Sequence, residues 1–149
     1  MKTPVILILL MVFTSMTIIT DGKRDKDLRI TSLDIKFNKT DAIFTVNYDF
    51  DKFSETFLML FGAKTIESKI RHPFQNFEYD IIKIDHNRAI LRVKNISVLN
   101  KGYYLHNSRE FGDTIDTVYV SDPSTTRIRE YHNINSTPNY FYKKDFITK

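Results

Sequence analysis

Cysteine is absent from the 149-residue chain, and so is tryptophan. Without cysteine there is no disulfide scaffold and no thiolate metal site, so any exported domain here must be stable through packing alone. Glycine occurs only four times, and no glycine-rich loop of the phosphate-cradling kind is present. Proline also occurs four times. Charge of one sign is not concentrated: 22 basic and 18 acidic residues are interspersed, with a formal net charge of +4. A modest charge of this kind favours solubility and weak attraction to polyanions, and gives no support for specific nucleic-acid binding. The longest apolar run, Val5 to Ile19, is short for a spanning helix, and no other run approaches that length.

What is present is aromatic and aliphatic material in short alternating runs. Hydrophobic residues make up 42% of the chain and aromatics 13%, all of the latter Phe or Tyr. Large rings pack well on pleated surfaces, which suits a sheet-rich core. The length fits one domain.

Residues 1–22 form a segment of their own. Lys2 and the amino terminus precede an apolar run from Val5 to Ile19, and a polar break follows. That order is the architecture of a secretory signal peptide. The cleavage site, around Thr20-Asp21-Gly22, lacks an Ala-x-Ala pattern, so an uncleaved N-terminal anchor is the alternative, with membrane contact through residues 4–20. Lys23, Arg24, Lys26 and Arg29 follow the run, and a positive-inside count on them would keep the domain in the cytoplasm. The order of the regions favours export: a secreted protein, or one on the extracellular side of the membrane.

The remaining chain reads as one domain over 23–142, followed by a basic tail at 143–149. Leu28 and Ile30 alternate, then Leu33, Ile35 and Phe37 alternate one step out of phase, which predicts a bulge at Thr31-Ser32. After a turn at 38–41, Phe44, Val46, Tyr48 and Phe50 alternate with polar residues, completing a hairpin. A second strand pair spans 78–84 and 89–96 around the turn Asp85-His86-Asn87-Arg88. Strand signals follow at Tyr103-Tyr104-Leu105 and at 114–120, whereas 127–149 reads as turn-like and aromatic.

Between the hairpins lies a Phe/Ile-rich segment at 52–76. Phe53, Phe57, Leu60 and Phe61 share one helical face, Gly62 offers a stop, and Ile66, Ile70, Phe74 and Phe77 recur at helical spacing. Pro73 limits regular helix to residues before His72. The expected fold is therefore α+β: an antiparallel sheet of five to six strands with a broken helix or helix pair packed on one face. The alternative is an all-β sandwich in which 53–61 is a strand. Leu58 and Met59 widen the apolar arc and are the expected apolar partner contact.

No constellation in the sequence carries chemistry. His72, His86, His106 and His132 lack metal-ligand spacing, and no nucleophile elbow accompanies His106, Ser108 and Glu110. Glu110, Asp113 and Asp116 are the nearest approach to a hard-cation set. Neither a metal nor a cofactor is expected. Asn38, Asn95 and Asn135 head N-x-S/T sequons and are candidate glycosylation sites.

The stretch IIKIDHNRAILRVKNISVLNKGYYLHNSREFGDTI, with the preceding FLMLFGAKTIESKI, resembles small exported proteins of unknown function from methanogenic archaea. The resemblance extends over about 28–142. It implies an exported domain in a cell that makes few disulfides, and it carries over no active residues. The functional expectation is an exported or membrane-tethered cell-surface domain with a non-enzymatic binding or structural role, its partner a cell-surface protein or glycan. The alternatives are an exported hydrolase whose carboxylates meet only in the fold, and a membrane-anchored cytoplasmic domain.

Overall fold

The computed structural model describes residues 28–50, 63–125 and 127–144. Strand β1 (Leu28–Asn38) turns back into β2 (Asp41–Phe50). Helix α1 (Ala63–Arg71) follows, then β3 (Tyr79–Ile84), β4 (Arg88–Val93), β5 (Val98–Asn100), β6 (Tyr103–His106), β7 (Glu110–Ser121), β8 (Arg129–Ser136) and β9 (Tyr140–Lys143).

Two sheets result. The larger has six strands in the order β3-β4-β2-β1-β7-β8, and the smaller has three in the order β5-β6-β9. The β1–β2 hairpin forms in the expected register, Asn38 opposite Asp41, and its register slips between Ile30 and Ser32, where the phase of the alternation slips in the sequence. Lys39 takes φ 58° at the turn.

The α+β expectation is corrected. Among the described residues the architecture is mostly β, with one short helix, and lies closer to all-β. The large sheet is mixed rather than antiparallel, because β1 pairs with β7 in parallel, Leu33 opposite Val118 and Ile35 opposite Val120. Alternation along a strand reports which face is buried; it is silent on the direction of the neighbour. Strands β5, β8 and β9 also add β content where no strand is expected, while β6 coincides with the strand signal at Tyr103-Tyr104-Leu105. Of the broken helix, α1 is the described part, and residues 52–62, with Leu58 and Met59, lie outside the described residues.

One core runs across the large sheet. Leu33, Ile35 and Phe37 of β1 lie opposite Val46, Phe44 and Ala42 of β2, which in turn face Ala89, Leu91 and Val93 of β4, and all nine side chains are buried. The period-2 pattern of each strand puts these residues on one face. That face is covered by Ile66 and Ile70 of α1 and by Phe74 and Phe77 of the turn after it, all buried. The helix ends at Arg71, two residues before Pro73, where the missing N–H and the ring sterics stop it. Phe44 meets Phe74 and Phe77 edge-on, with ring centroids 5.9 and 5.5 Å apart, an arrangement that aromatic quadrupoles favour. Gly112 lets β7 pass this turn closely. Its N–H donates to the Pro73 carbonyl at 2.8 Å, and a Cβ there would meet the His72 carbonyl oxygen at 2.1 Å.

The small sheet is fastened at the Lys39-Thr40 end of β1. The N–H groups of Ile96 and Ser97 donate to the Thr40 carbonyl at 2.8 and 3.1 Å, and the Tyr142 hydroxyl donates to the Lys39 carbonyl. Phe37 sits at the join, its ring centroid 5.0 Å from His106, 5.2 Å from Tyr140 and 5.7 Å from Tyr142. No described helix is long and apolar enough to cross a membrane.

Candidate functional site

The small sheet has one face packed inward and one face open. Inward point Tyr104, His106, Tyr140 and Tyr142, all buried. The opposite face follows from the register. Val98 lies opposite Leu105, and Leu105 opposite Phe141, so these three form one cross-strand row. Asn100, Tyr103 and Lys143 form the next row. Val98 and Phe141 are each 68% exposed, Tyr103 44% and Leu105 38%. An isolated exposed apolar side chain needs no explanation, but four in adjacent register positions on one sheet make a contiguous patch. The hairpin that displays them is built by Lys101 at φ 44° and Gly102 at φ 87°, the double left-handed turn that suits a two-residue loop.

This patch was hidden in the sequence because both faces of these strands are apolar. Tyr103-Tyr104-Leu105 and Tyr140-Phe141-Tyr142 are continuous runs, with no polar alternation to show which side is wet. The available signal was the two-sided apolarity itself.

The inward face carries a connected set of polar groups. His106 has Nδ1 2.7 Å from the Ile96 carbonyl oxygen and Nε2 2.7 Å from Thr137 Oγ1. Thr137 Oγ1 also accepts the Arg109 N–H at 2.9 Å. These contacts fit a neutral ring, protonated at Nδ1, that receives the Thr137 hydroxyl at Nε2. Burial holds the imidazole below its ordinary value, with the charge of Arg109 acting in the same direction and the Ile96 hydrogen bond against it. Nearby, the Tyr140 hydroxyl donates to Asp122 Oδ2 at 2.6 Å, while the Ser124 N–H donates to Asp122 Oδ1 at 2.6 Å. The Arg129 guanidinium stands 4.9 Å over the Tyr140 ring. His106, Thr137, Tyr140 and Asp122 each have a partner on another segment, so the arrangement joins elements of the fold.

The other titratable residues stay apart. His106 does not meet Ser108, which is exposed and whose N–H donates to Asn139 Oδ1 at 2.7 Å. His72 lies 3.6 Å from Asp113, and His132 lies 3.3 Å from Glu130, both pairs at the surface. His86 is exposed in the β3–β4 turn. Asp116 is paired with Arg29 at 2.6 Å, away from any cation arrangement with Glu110 and Asp113. No group of three or more His, Asp or Glu that could hold a metal occurs among the described residues. Asn38, Asn95 and Asn135 are all exposed, at the end of β1, after β4 with φ 49°, and within β8 respectively.

A concave feature lies between α1 and β3. It is a cleft of about 860 Å³ whose lining includes Glu67, Arg71, Glu78, Tyr79 and Asp80. Glu67 is paired with Arg71 at 2.8 Å, and Asp80 with Lys94 at 2.8 Å. Burial raises the Tyr79 hydroxyl above its ordinary value; the charge of Arg71 acts against that and the charge of Glu67 with it.

No family model, curated protein or solved structure matches the chain.

Proposed function

We propose that this chain is an exported or membrane-tethered cell-surface domain with a binding role, and that it binds a partner protein through the open face of the β5-β6-β9 sheet. The observation that carries this reading is the row Val98–Leu105–Phe141, apolar and exposed on a sheet whose other face is packed at Tyr104, His106, Tyr140 and Tyr142 and open only at its edge residue Leu99. Patches of this sort on stable domains mark interaction surfaces. Export is supported by the order of basic start, apolar run and polar break in residues 1–22.

The test combines place and contact. The full chain carrying a photo-crosslinking residue in place of Phe141 is expressed in its own cells, and intact cells are treated with protease. The reading expects cleavage from outside, and a discrete adduct at position 141 that is missing when the same residue replaces Ile82. Protection from protease on intact cells, with cleavage after lysis, would assign the domain to the cytoplasm. Equal adducts at both positions would remove the binding face.

A second reading, an exported hydrolase, draws on the α1–β3 cleft, where Glu67, Glu78 and Asp80 share one lining. Two of these carboxylates are held by cations, which leaves Glu78 as the group to examine. Glu78→Gln should abolish any hydrolytic activity assigned to the cleft, and an active Glu78→Gln protein would end this reading.

A further inference from the structure

We propose that the partner surface received by the β5-β6-β9 sheet is acidic at its rim and apolar at its centre, and that the sheet is offered to it at the pole remote from the start of β1. This rests on the binding reading above and specifies the partner.

Charge comes first. The chain carries no Asp or Glu between Asp85 and Glu110, nor from 137 to 144, so every residue of β5, β6 and β9 and of the turn between β5 and β6 is neutral or basic. The exposed cations gather at one end of the open face. Lys143 lies opposite Tyr103, Lys101 forms the hairpin tip, and the Lys144 N–H donates to the Gly102 carbonyl at 3.0 Å, which brings Lys144 beside that tip. The apolar row Val98–Leu105–Phe141 is therefore flanked by positive charge with no acid of its own strands to neutralise it. A second copy of the same face would set lysines against lysines, a repulsive arrangement. An acidic rim around an apolar centre complements it instead, with the charges governing approach and selectivity and the apolar row supplying the contact area.

Geometry separates a protein from the chain's own membrane. The small sheet is fastened to the Lys39-Thr40 turn, at the far end of β1 from Leu28. With 11 residues, β1 sets these ends roughly 36 Å apart. A domain held through its N-terminus thus carries the small sheet at the end of β1 remote from Leu28. An acidic polysaccharide suits the face less well than a protein does, because the central row Val98–Leu105–Phe141 offers no side-chain hydrogen-bond donor for hydroxyl groups, and the donors Asn100, Tyr103 and Lys143 are confined to the row beside it.

The test uses the full chain in neutral phosphatidylcholine nanodiscs and two short peptides, one alternating Val with Glu and the other Val with Lys. Polygalacturonate and nanodiscs containing phosphatidylglycerol serve as further probes, and backbone amide shifts are the readout. The expected result is binding of the Val/Glu peptide with shifts confined to 98–105 and 141–144, and binding of the Val/Lys peptide about tenfold weaker or more. The triple variant Lys101→Glu, Lys143→Glu, Lys144→Glu should reverse that order. Equal binding of both peptides at these residues would overturn the acidic partner and leave the binding face standing. Failure of both peptides to shift them would overturn both. Tighter engagement of the same residues by polygalacturonate or by phosphatidylglycerol would overturn the assignment to a protein.

Discussion

His106 Nε2 lies 2.7 Å from the hydroxyl of Thr137, and both side chains are out of solvent, at 2% and 0% exposure. The pair ties β6 to the β8–β9 connection, while Nδ1 of the same ring reaches the Ile96 carbonyl after β4. One imidazole therefore fastens three segments where the two sheets join.

This arrangement makes stability depend on pH in a defined window. The folded protein holds His106 below its ordinary value of 6.5, chiefly by burial. As pH falls below 6.5, the unfolded chain takes up a proton that the folded chain refuses, so stability declines from there toward the lower folded value. Above 6.5 the residue contributes no slope. Urea unfolding at intervals across this range should show that decline, and His106→Gln should flatten it. The same variant should lose about 1–3 kcal/mol at neutral pH from disturbed buried hydrogen bonds. An unchanged slope in His106→Gln would assign the acid sensitivity to other groups.

Tyr140→Phe isolates a second buried bond. The Asp122 carboxylate keeps its Ser124 partners at Oδ1 but loses the Tyr140 hydroxyl that donates to Oδ2. Leaving a buried carboxylate oxygen unpaired costs about 1–3 kcal/mol, measured by chemical unfolding at neutral pH. A neutral outcome would mean that water replaces the phenol.

Gly112→Ala should be more harmful than its size suggests. The new methyl would lie 2.1 Å from a backbone oxygen, that of His72, which cannot swing aside as a side chain would. The turn carrying Phe74 and Phe77 must move, and with it the cover over Phe44. The expected loss is about 1–3 kcal/mol, with a lowered thermal midpoint. A wild-type midpoint would show that β7 passes the turn with room to spare.

The phenols predict behaviour at high pH. Burial raises the Tyr48 hydroxyl to about 12, helped by the charge of Asp85, and burial likewise raises Tyr142 to about 12. Unfolded tyrosine ionises near its ordinary value of 10.0, so stability is full below that pH and is lost as pH rises toward 12. Ultraviolet titration should show these two phenolates appearing late, together with unfolding. Tyr48→Phe should shift the alkaline loss to higher pH, and an unaltered alkaline profile would contradict this assignment.

The legible part of the fold was the part with one dry face and one wet face. The β1–β2 and β3–β4 hairpins, the bulge near Thr31-Ser32 and the end of α1 before Pro73 all follow from alternation and ring sterics. The parallel pairing of β1 with β7 was not legible, since Leu33 and Val118 reveal burial but not each other. Strand β8 was hidden for a different reason: in Arg129–Ser136 only Tyr131 and Ile134 are partly buried hydrophobics, too few to mark a strand. In the small sheet the opposite condition hid the site, because Val98, Leu105 and Phe141 are as apolar as the buried Tyr104 and Tyr142 beside them. Only the register across strands separates the two sets.

Thermal unfolding of the double variant Val98→Ser, Phe141→Ser, set beside Phe111→Ser, tests the central claim most directly. Val98 and Phe141 are exposed, whereas Phe111 is buried against Phe74 and Phe77. The account predicts that the double variant keeps the wild-type midpoint to within about 0.5 kcal/mol of stability, as at surface positions, while Phe111→Ser loses about 3–5 kcal/mol. A loss in the double variant as large as that in Phe111→Ser would mean that the open face is core, and would contradict its role as a binding surface.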